Sequence, residues 1–132
     1  MRLNQVTLPV TNMALAAAFY RRMGFLQIVD TPHYARFCCP DGDATFSLAL
    51  RDEPGGNNAV IYFEIEDLDR KVEELTQQGF AFDQAPTDMR YLWREAVLHD
   101  PSGNKIKLYF AGENRLNPPW RVERSESSTV DA

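Results

Sequence analysis

Strand-like alternation opens the chain. In "QVTLPVTN" (Gln5 to Asn12), Val6, Leu8 and Val10 share one side, and Gln5, Thr7 and Pro9 share the other. "VIYFEIED" (Val60 to Asp67) repeats the pattern, with Ile61, Phe63 and Ile65 set against Val60, Tyr62 and Glu64. Each segment ends in a residue suited to cap a helix N-terminus, Asn12 and Asp67. Helical spacing follows. "MALAAAFYRRMGF" places Leu15, Phe19 and Met23 on one stripe, with Arg21 and Arg22 solvated, and "LDRKVEELTQQGF" does the same with Leu68, Val72 and Leu75. Both patterns stop at a Gly-Phe step, Gly24-Phe25 and Gly79-Phe80, where a left-handed C-terminal cap favours glycine. Gln5 and Val60 are as far apart as Gly24 and Gly79, so one register holds through strand, cap, helix and stop. The chain reads as a duplication.

Three further strand-like runs follow each helix. They are "LQIVD", "YARFCCP" and "DATFSLAL" in the first half, and "AFDQAP", "WREAVLH" and "NKIKLYF" in the second, with turns at Asp41-Gly42 and Pro101-Ser102-Gly103. Each half is therefore expected to be β-α-β-β-β. The fold class is α+β: tandem βαβββ modules forming a curved mixed sheet, with residues 1–52 as the first module and 60–112 as the second. Residues 53–59 make a linker centred on Pro54-Gly55-Gly56. In the tail, 113–132, Pro118-Pro119 forbids a helix or central strand. Trp120 is expected to dock on the body or a partner subunit, and "ERSESSTVDA" to be disordered.

Composition narrows the function classes. The 132 residues are 44% hydrophobic and 25% charged, ordinary for a globular protein. The net charge is -5 and no Lys/Arg cluster suits a phosphate backbone, so nucleic acid is not an expected partner. No apolar run resembles a signal peptide or a membrane span, which makes the cytoplasm the default compartment. Cys38 and Cys39 are adjacent and cannot staple distant segments; no Cys/His pattern suggests zinc, and both cysteines read as structural.

A sheet covered by a helix on one side leaves its other face for a second module, a partner or a ligand. By parity that face carries Gln5, Thr7, Pro9, Thr45, Ser47 and Ala49 in the first half. In the second it carries Val60, Tyr62, Glu64, Trp93, Glu95 and Val97, then Lys105, Lys107 and Tyr109. The opposite parity, Phe46/Leu48/Leu50 and Ile106/Leu108/Phe110, is apolar and reads as core.

Three stretches resemble the vicinal oxygen chelate superfamily of glyoxalase I, bleomycin-resistance proteins, fosfomycin-resistance enzymes, methylmalonyl-CoA epimerase and extradiol dioxygenases. They are the opening strand with "FYRRMGF", "YFEIEDLD" at the second repeat, and "DPSGNKIKL", where the family typically has Asp-Pro-Asp-Gly-Asn before Ile/Leu-Glu-Leu. The resemblance covers the chain to Phe110 and speaks to fold more than to activity. It implies metal-ligand positions at Gln5, Ser47, Val60 and Lys107. Only Gln5 offers a fair donor there. Val60 has none, and Lys107 puts a positive charge where a carboxylate would hold the ion. The resemblance is therefore to the metal-free, bleomycin-resistance-like branch, whose members are small dimers binding ligands in grooves between subunits. No cofactor is expected.

The leading expectation is metal-independent binding of a small organic ligand by a homodimer, in a cleft lined by Gln5, Thr7, Ser47, Tyr62, Glu64, Arg90, Trp93, Glu95, Lys107 and Tyr109. Lys107 would meet a ligand carboxylate or carbonyl with Glu95 holding it charged, or the two form a structural ion pair in a vestigial metal pocket. Tyr62, Trp93 and Tyr109 would stack on a flat ligand or pack an interface. Arg90 lies in "DMRYLW", on the loop that lids the pocket in this superfamily, while Arg36 and Arg94 read as surface charge. His99 reads as exposed at a turn and His33 as a loop residue. One alternative is a metal-free lyase or isomerase, lactoylglutathione-lyase-like, with Glu64 or Glu95 as base and Lys107 as electrophile. The other is a structural or interaction protein with a filled pocket.

Overall fold

A computed structural model of the chain describes residues 1–53 and 57–123. The first module runs β1 (Gln5–Val10), α1 (Met13–Met23), β2 (Leu26–Asp30), β3 (Tyr34–Cys38) and β4 (Thr45–Leu50). The second runs β5 (Val60–Glu64), α2 (Leu68–Gln77), β6 (Gln84–Asp88), β7 (Arg94–His99) and β8 (Lys105–Phe110), followed by a short 3-10 turn at Gly112–Asn114. The expected β-α-β-β-β order holds in both halves. The strands form two mixed four-stranded sheets, β1-β4-β3-β2 and β5-β8-β7-β6, in place of one continuous sheet. In each, the strand before the helix lies parallel to the module's last strand, and the other pairs are antiparallel. The linker centre Pro54-Gly55-Gly56 and residues 124–132 of the expected disordered tail lie outside the described residues. No helix among the described residues is long and apolar enough to cross a membrane.

The two helices start differently. Asn12 caps α1, its Oδ1 accepting from the Leu15 amide at 3.0 Å. Asp67 stands at the corresponding place before α2 but makes no such bond, and its carboxylate instead lies 3.8 Å from Arg70. Both helices end as expected. Gly24 and Gly79 take φ of 110° and 98°, and the Phe80 amide reaches back to the Leu75 carbonyl.

Packing redraws the α1 stripe. Leu15 is 58% exposed, and the buried face is Ala16, Ala17, Tyr20 and Met23. The paired alanines let the helix sit close to its sheet, and Tyr20 fills the remaining depth. Phe19 is only partly buried and packs on Phe80 of the second module, with ring centroids 5.1 Å apart. Phe110, read as core, is 38% exposed because the chain turns away after β8. β6 begins at Gln84 and contains Pro86, which an edge strand tolerates.

The helix-side faces of both sheets feed one hydrophobic core that contains Leu8, Phe37 and Leu48 with Leu98, Ile106 and Leu108. Phe63 of β5 crosses the seam to Phe25 and Phe46, at 4.6 and 5.4 Å between centroids. A polar joint reinforces it. The Tyr20 hydroxyl donates to Asp100 Oδ2 at 2.7 Å, Asn104 Nδ2 donates to the Pro9 carbonyl at 2.8 Å, and the Thr11 amide donates to Ser102 Oγ at 3.0 Å. Asp100 Oδ1 also accepts from the Ser102 and Asn104 amides. The "DPSGN" motif is thus the fastening between modules. With one side of each sheet committed to this core, the opposite faces are left for other uses.

Candidate functional site

The outward face of the second sheet gathers an ion pair inside a set of rings. Lys107 on β8 lies in register between Tyr62 on β5 and Val97 on β7, and Tyr109 lies between Glu64 and Glu95. The ion pair is therefore diagonal, with Lys107 Nζ 3.1 Å from Glu95 Oε1. The Tyr91 hydroxyl donates to the other oxygen, Oε2, at 2.7 Å. The Glu95 side chain is 2% exposed and that of Lys107 is 16% exposed. Burial alone would pull the Lys107 pKa down, but the hydrogen bond to Glu95 and its charge outweigh this and hold it above the usual lysine value. Burial, then the bond to Glu95, pushes the Tyr91 hydroxyl up.

Rings wall this pair. Trp93 and Tyr109 stack at 4.7 Å with an 18° angle, and Tyr62 meets both edge-on at 6.0 and 5.5 Å. Lys107 Nζ lies 5.4 Å from the Tyr62 ring centre. Burial raises the Tyr109 hydroxyl, and the Glu64 charge adds to it. The ammonium stays protonated near neutral pH and has three donors, so N–H groups remain after Glu95 is served. Glu95 has both oxygens engaged. To act as a base, Glu95 would first have to give up one of these bonds.

The other second-module candidates lie apart from this pair. Glu64 Oε2 accepts from the amides of Ala111 and Gly112 at 2.9 and 3.1 Å, which fixes the 3-10 turn, and Oε1 is 3.8 Å from Arg115. Arg90 is exposed on the β6–β7 turn. His99 is exposed and bonds Asp83 at 2.5 Å. Arg94, read as surface charge, clasps Asp69 and Asp88, both at 2.9 Å. Trp120 is 57% exposed.

The first module's outward face is a hydroxyl network. Gln5 Nε2 donates to Ser47 Oγ at 2.6 Å, and the Gln5 amide oxygen accepts from the Thr45 hydroxyl. Ser47 Oγ also bonds the Tyr34 hydroxyl at 2.5 Å, which in turn accepts from Arg36. Thr7 is exposed on β1, in register with Ser47. Among the described residues no side-chain hydrogen bond or ion pair joins the two faces. Tyr34, Arg36 and Tyr91 are the residues the sequence reading missed as site members. The parity of "YARFC" places Tyr34 and Arg36 opposite Ala35 and Phe37, so that signal was present for two of them; Tyr91 sits in a loop where periodicity is silent.

Two cavities, of about 350 and 430 Å³, flank β5. Phe46 and Ile61 help line the larger, Met23 and Lys71 the smaller, and Cys39 and Phe63 line both. Tyr62 borders both and Lys107 neither. Burial pushes the Cys39 thiol up, away from thiolate character.

The residues at the superfamily's ligand positions do not fit a divalent cation. The Gln5 oxygen is held by Thr45, Ser47 by Gln5 and Tyr34, Val60 has no donor, and Lys107 is a paired ammonium. Among the described residues no three His, Cys, Asp or Glu side chains gather into a metal site.

Residues 2–108 match the family model described as the glyoxalase/bleomycin resistance protein/dioxygenase superfamily. A trivalent organoarsenical cleaving enzyme of Bacillus sp. (strain MD1) is 28% identical over 150 aligned positions, covering 100% of this chain and 93% of that protein. Among solved structures, a glyoxalase/bleomycin resistance protein/dioxygenase from Nocardioides superposes with a TM-score of 0.74 at 17% identity, covering 92% of this chain and 89% of that one. A bleomycin-binding protein complexed with bleomycin gives 0.71 at 18% identity, covering 83% of this chain and 98% of its own. At these identities the structural likeness is one of fold.

Proposed function

The chain belongs to the glyoxalase/bleomycin resistance protein/dioxygenase superfamily, and within it we propose a metal-independent binder of a small organic molecule, seated on the outward face of the second sheet. The observation that carries this reading is the Lys107–Glu95 pair held inside the Tyr62, Trp93 and Tyr109 rings on the sheet face turned away from the core. A buried ion pair adds little net stability compared with apolar side chains of the same volume, so folding alone does not account for it. A flat ligand with a carbonyl or carboxylate suits the site, with the rings contributing stacking area and Lys107 a charged donor. The first module's face, with Gln5, Thr7 and Ser47, is the complementary wall. We place it opposite Lys107 through a homodimer, since no side-chain hydrogen bond or ion pair joins the two faces of one chain among the described residues.

The experiment is a thermal-shift screen of aromatic carboxylates and carbonyl compounds in chelator-treated buffer, followed by calorimetry on the hits. A hit that stabilises the wild type and loses at least tenfold affinity in Lys107→Met supports the site, because only a ligand of the native state raises the melting temperature. Light scattering is expected to give a dimer. A screen without hits favours a purely structural role and sinks this proposal.

A second reading rests on the full-length match to the Bacillus protein, whose name gives it cleavage of trivalent organoarsenicals. Glu95 would have to release Tyr91 or Lys107 before acting as a base there. Turnover of a trivalent organoarsenical that disappears with chelator and returns with added metal would replace the binder reading.

A further inference from the structure

Among the described residues Arg36 meets no acidic side chain, although the chain carries 19 Asp and Glu against 14 Lys and Arg. Its Nε and Nη2 converge on the Tyr34 hydroxyl at 3.2 and 3.1 Å. Two N–H groups of one guanidinium converging on oxygen is how arginine meets carboxylates and phosphates. Here the fork meets a phenol. Arg36 is half-buried on β3 and faces Ser47 of β4 directly across the ladder, and Ser47 is 0% exposed.

Counting donors and acceptors makes the imbalance plain. Arg36 donates twice into the Tyr34 oxygen, and Gln5 donates into Ser47 Oγ. One hydroxyl proton fills the 2.5 Å contact between Tyr34 and Ser47, so the other hydroxyl proton has no acceptor among the described side chains. The remaining guanidinium N–H groups have no partner among the described side chains. The cluster has spare donors, a full positive charge and no anion. The bonds from Ser47 and then from Arg36 hold the Tyr34 hydroxyl below the usual tyrosine range, a sign that the local field favours negative charge on oxygen. Arg36 is the one charged group acting on that hydroxyl, from the same strand, while the facing strand β4 contributes the neutral Ser47.

We propose that Arg36, Tyr34 and Ser47 form an oxyanion-binding site on the outward face of the first sheet, taking the carboxylate or phosphate group of a small ligand. The anion enters beside the guanidinium and collects its free N–H groups and the spare hydroxyl proton. Gln5 and Thr45 hold Ser47 in place behind it. Ser47 also belongs to the wall proposed opposite Lys107, whereas Arg36 and Tyr34 on β3 do not, so the Arg36 variants separate this site from the ligand proposed there.

The test uses the full chain with inorganic phosphate and acetate as separate probes, and chloride at matched ionic strength as baseline. Saturable calorimetric binding of either probe is expected, weakened at least tenfold in Arg36→Gln and substantially in Arg36→Lys, which keeps the charge and loses the fork. Phosphate binding alone points to a tetrahedral group, acetate binding alone to a planar carboxylate. Ultraviolet titration gives a readout that needs no variant to bind. The lowest-titrating tyrosine, absent in Tyr34→Phe, is expected to move upward when the bound probe adds negative charge beside it. No binding of either probe, binding that survives Arg36→Gln but vanishes in Lys107→Met, or a tyrosine titration unmoved by saturating probe would each overturn the site.

Discussion

The two outward sheet faces share a scaffold and differ in chemistry. The ladders pair Gln5 with Thr45 and Val60 with Lys105, so Ser47 and Lys107 occupy equivalent places, as do Thr7 and Tyr62. On the helix side the equivalent residues stay alike: Phe46 and Leu48 in one module, Ile106 and Leu108 in the other, all buried. On the outward side a hydroxyl network in one module stands where an ion pair and aromatic rings stand in the other. The core constrains one side of each sheet through shape and water exclusion. The outward side carries no such demand, and it is there that the two halves have separated.

Lys107→Met is the largest expected break in that comparison. It leaves the Glu95 carboxylate buried with Tyr91 as its one remaining side-chain partner. Removing one member of a buried pair costs about 3–5 kcal/mol, and the remaining exposure of Lys107 argues for the lower end. Ser47→Ala at the equivalent place removes neutral hydrogen bonds only, at about 1 kcal/mol. Urea unfolding of both variants checks the contrast, and equal losses would mean that the Lys107–Glu95 pair is solvated in the folded protein. Adding Glu95→Met to Lys107→Met should recover most of the loss, because no uncompensated charge then remains.

Next in size is Tyr20→Phe, at the joint rather than on a face. Asp100 keeps its bonds from Ser102 and Asn104 but loses the Tyr20 hydroxyl, a hydrogen bond to a charged group worth about 1.5–3 kcal/mol. Burial and the Asp100 charge both raise the Tyr20 pKa, so this hydroxyl donates throughout the usable pH range. The variant should lower stability without changing ligand binding on either outward face. A calorimetric affinity that falls together with the melting temperature would show that the joint also positions the faces.

The joint explains which parts of the fold were readable in the sequence. "DPSGNKIKL" and the Gly-Phe helix stops are local signals with backbone causes, and each stands where the pattern places it. Leu15 misled because a four-residue spacing marks a stripe without saying whether large or small residues face the sheet; Ala16 and Ala17 do. The run "AFDQAP" pointed to a strand, and β6 forms three residues further on, at Gln84–Asp88, where its edge position tolerates Pro86. At the site, parity found Glu95, Lys107, Tyr62 and Tyr109. The same parity in β3 sets Tyr34 and Arg36 opposite the buried Ala35 and Phe37. The bond from Tyr91 to Glu95 comes from loop geometry, and no periodicity reports that.

The smallest expected effect is also the one in which the two faces move oppositely with pH. Lys107 has a folded pKa above its unfolded value, so the stability it contributes is fully present below the ordinary lysine value of about 10.4 and is lost as pH rises through the raised one. Tyr34 has a folded pKa below its unfolded value. Its contribution is fully present above the ordinary tyrosine value of about 10 and is lost as pH falls through the lowered one. On going from neutral to alkaline buffer, the stability gap between wild type and Tyr34→Phe should widen first, and the gap to Lys107→Met should then narrow. Most of the chain's other titrations cancel in each difference, so parallel urea series in steps across this range isolate the two groups. Gaps that change in the same direction would mean that the fields at Tyr34 and Lys107 are not opposed, and the contrast between a donor-rich face and a paired one would fail with them.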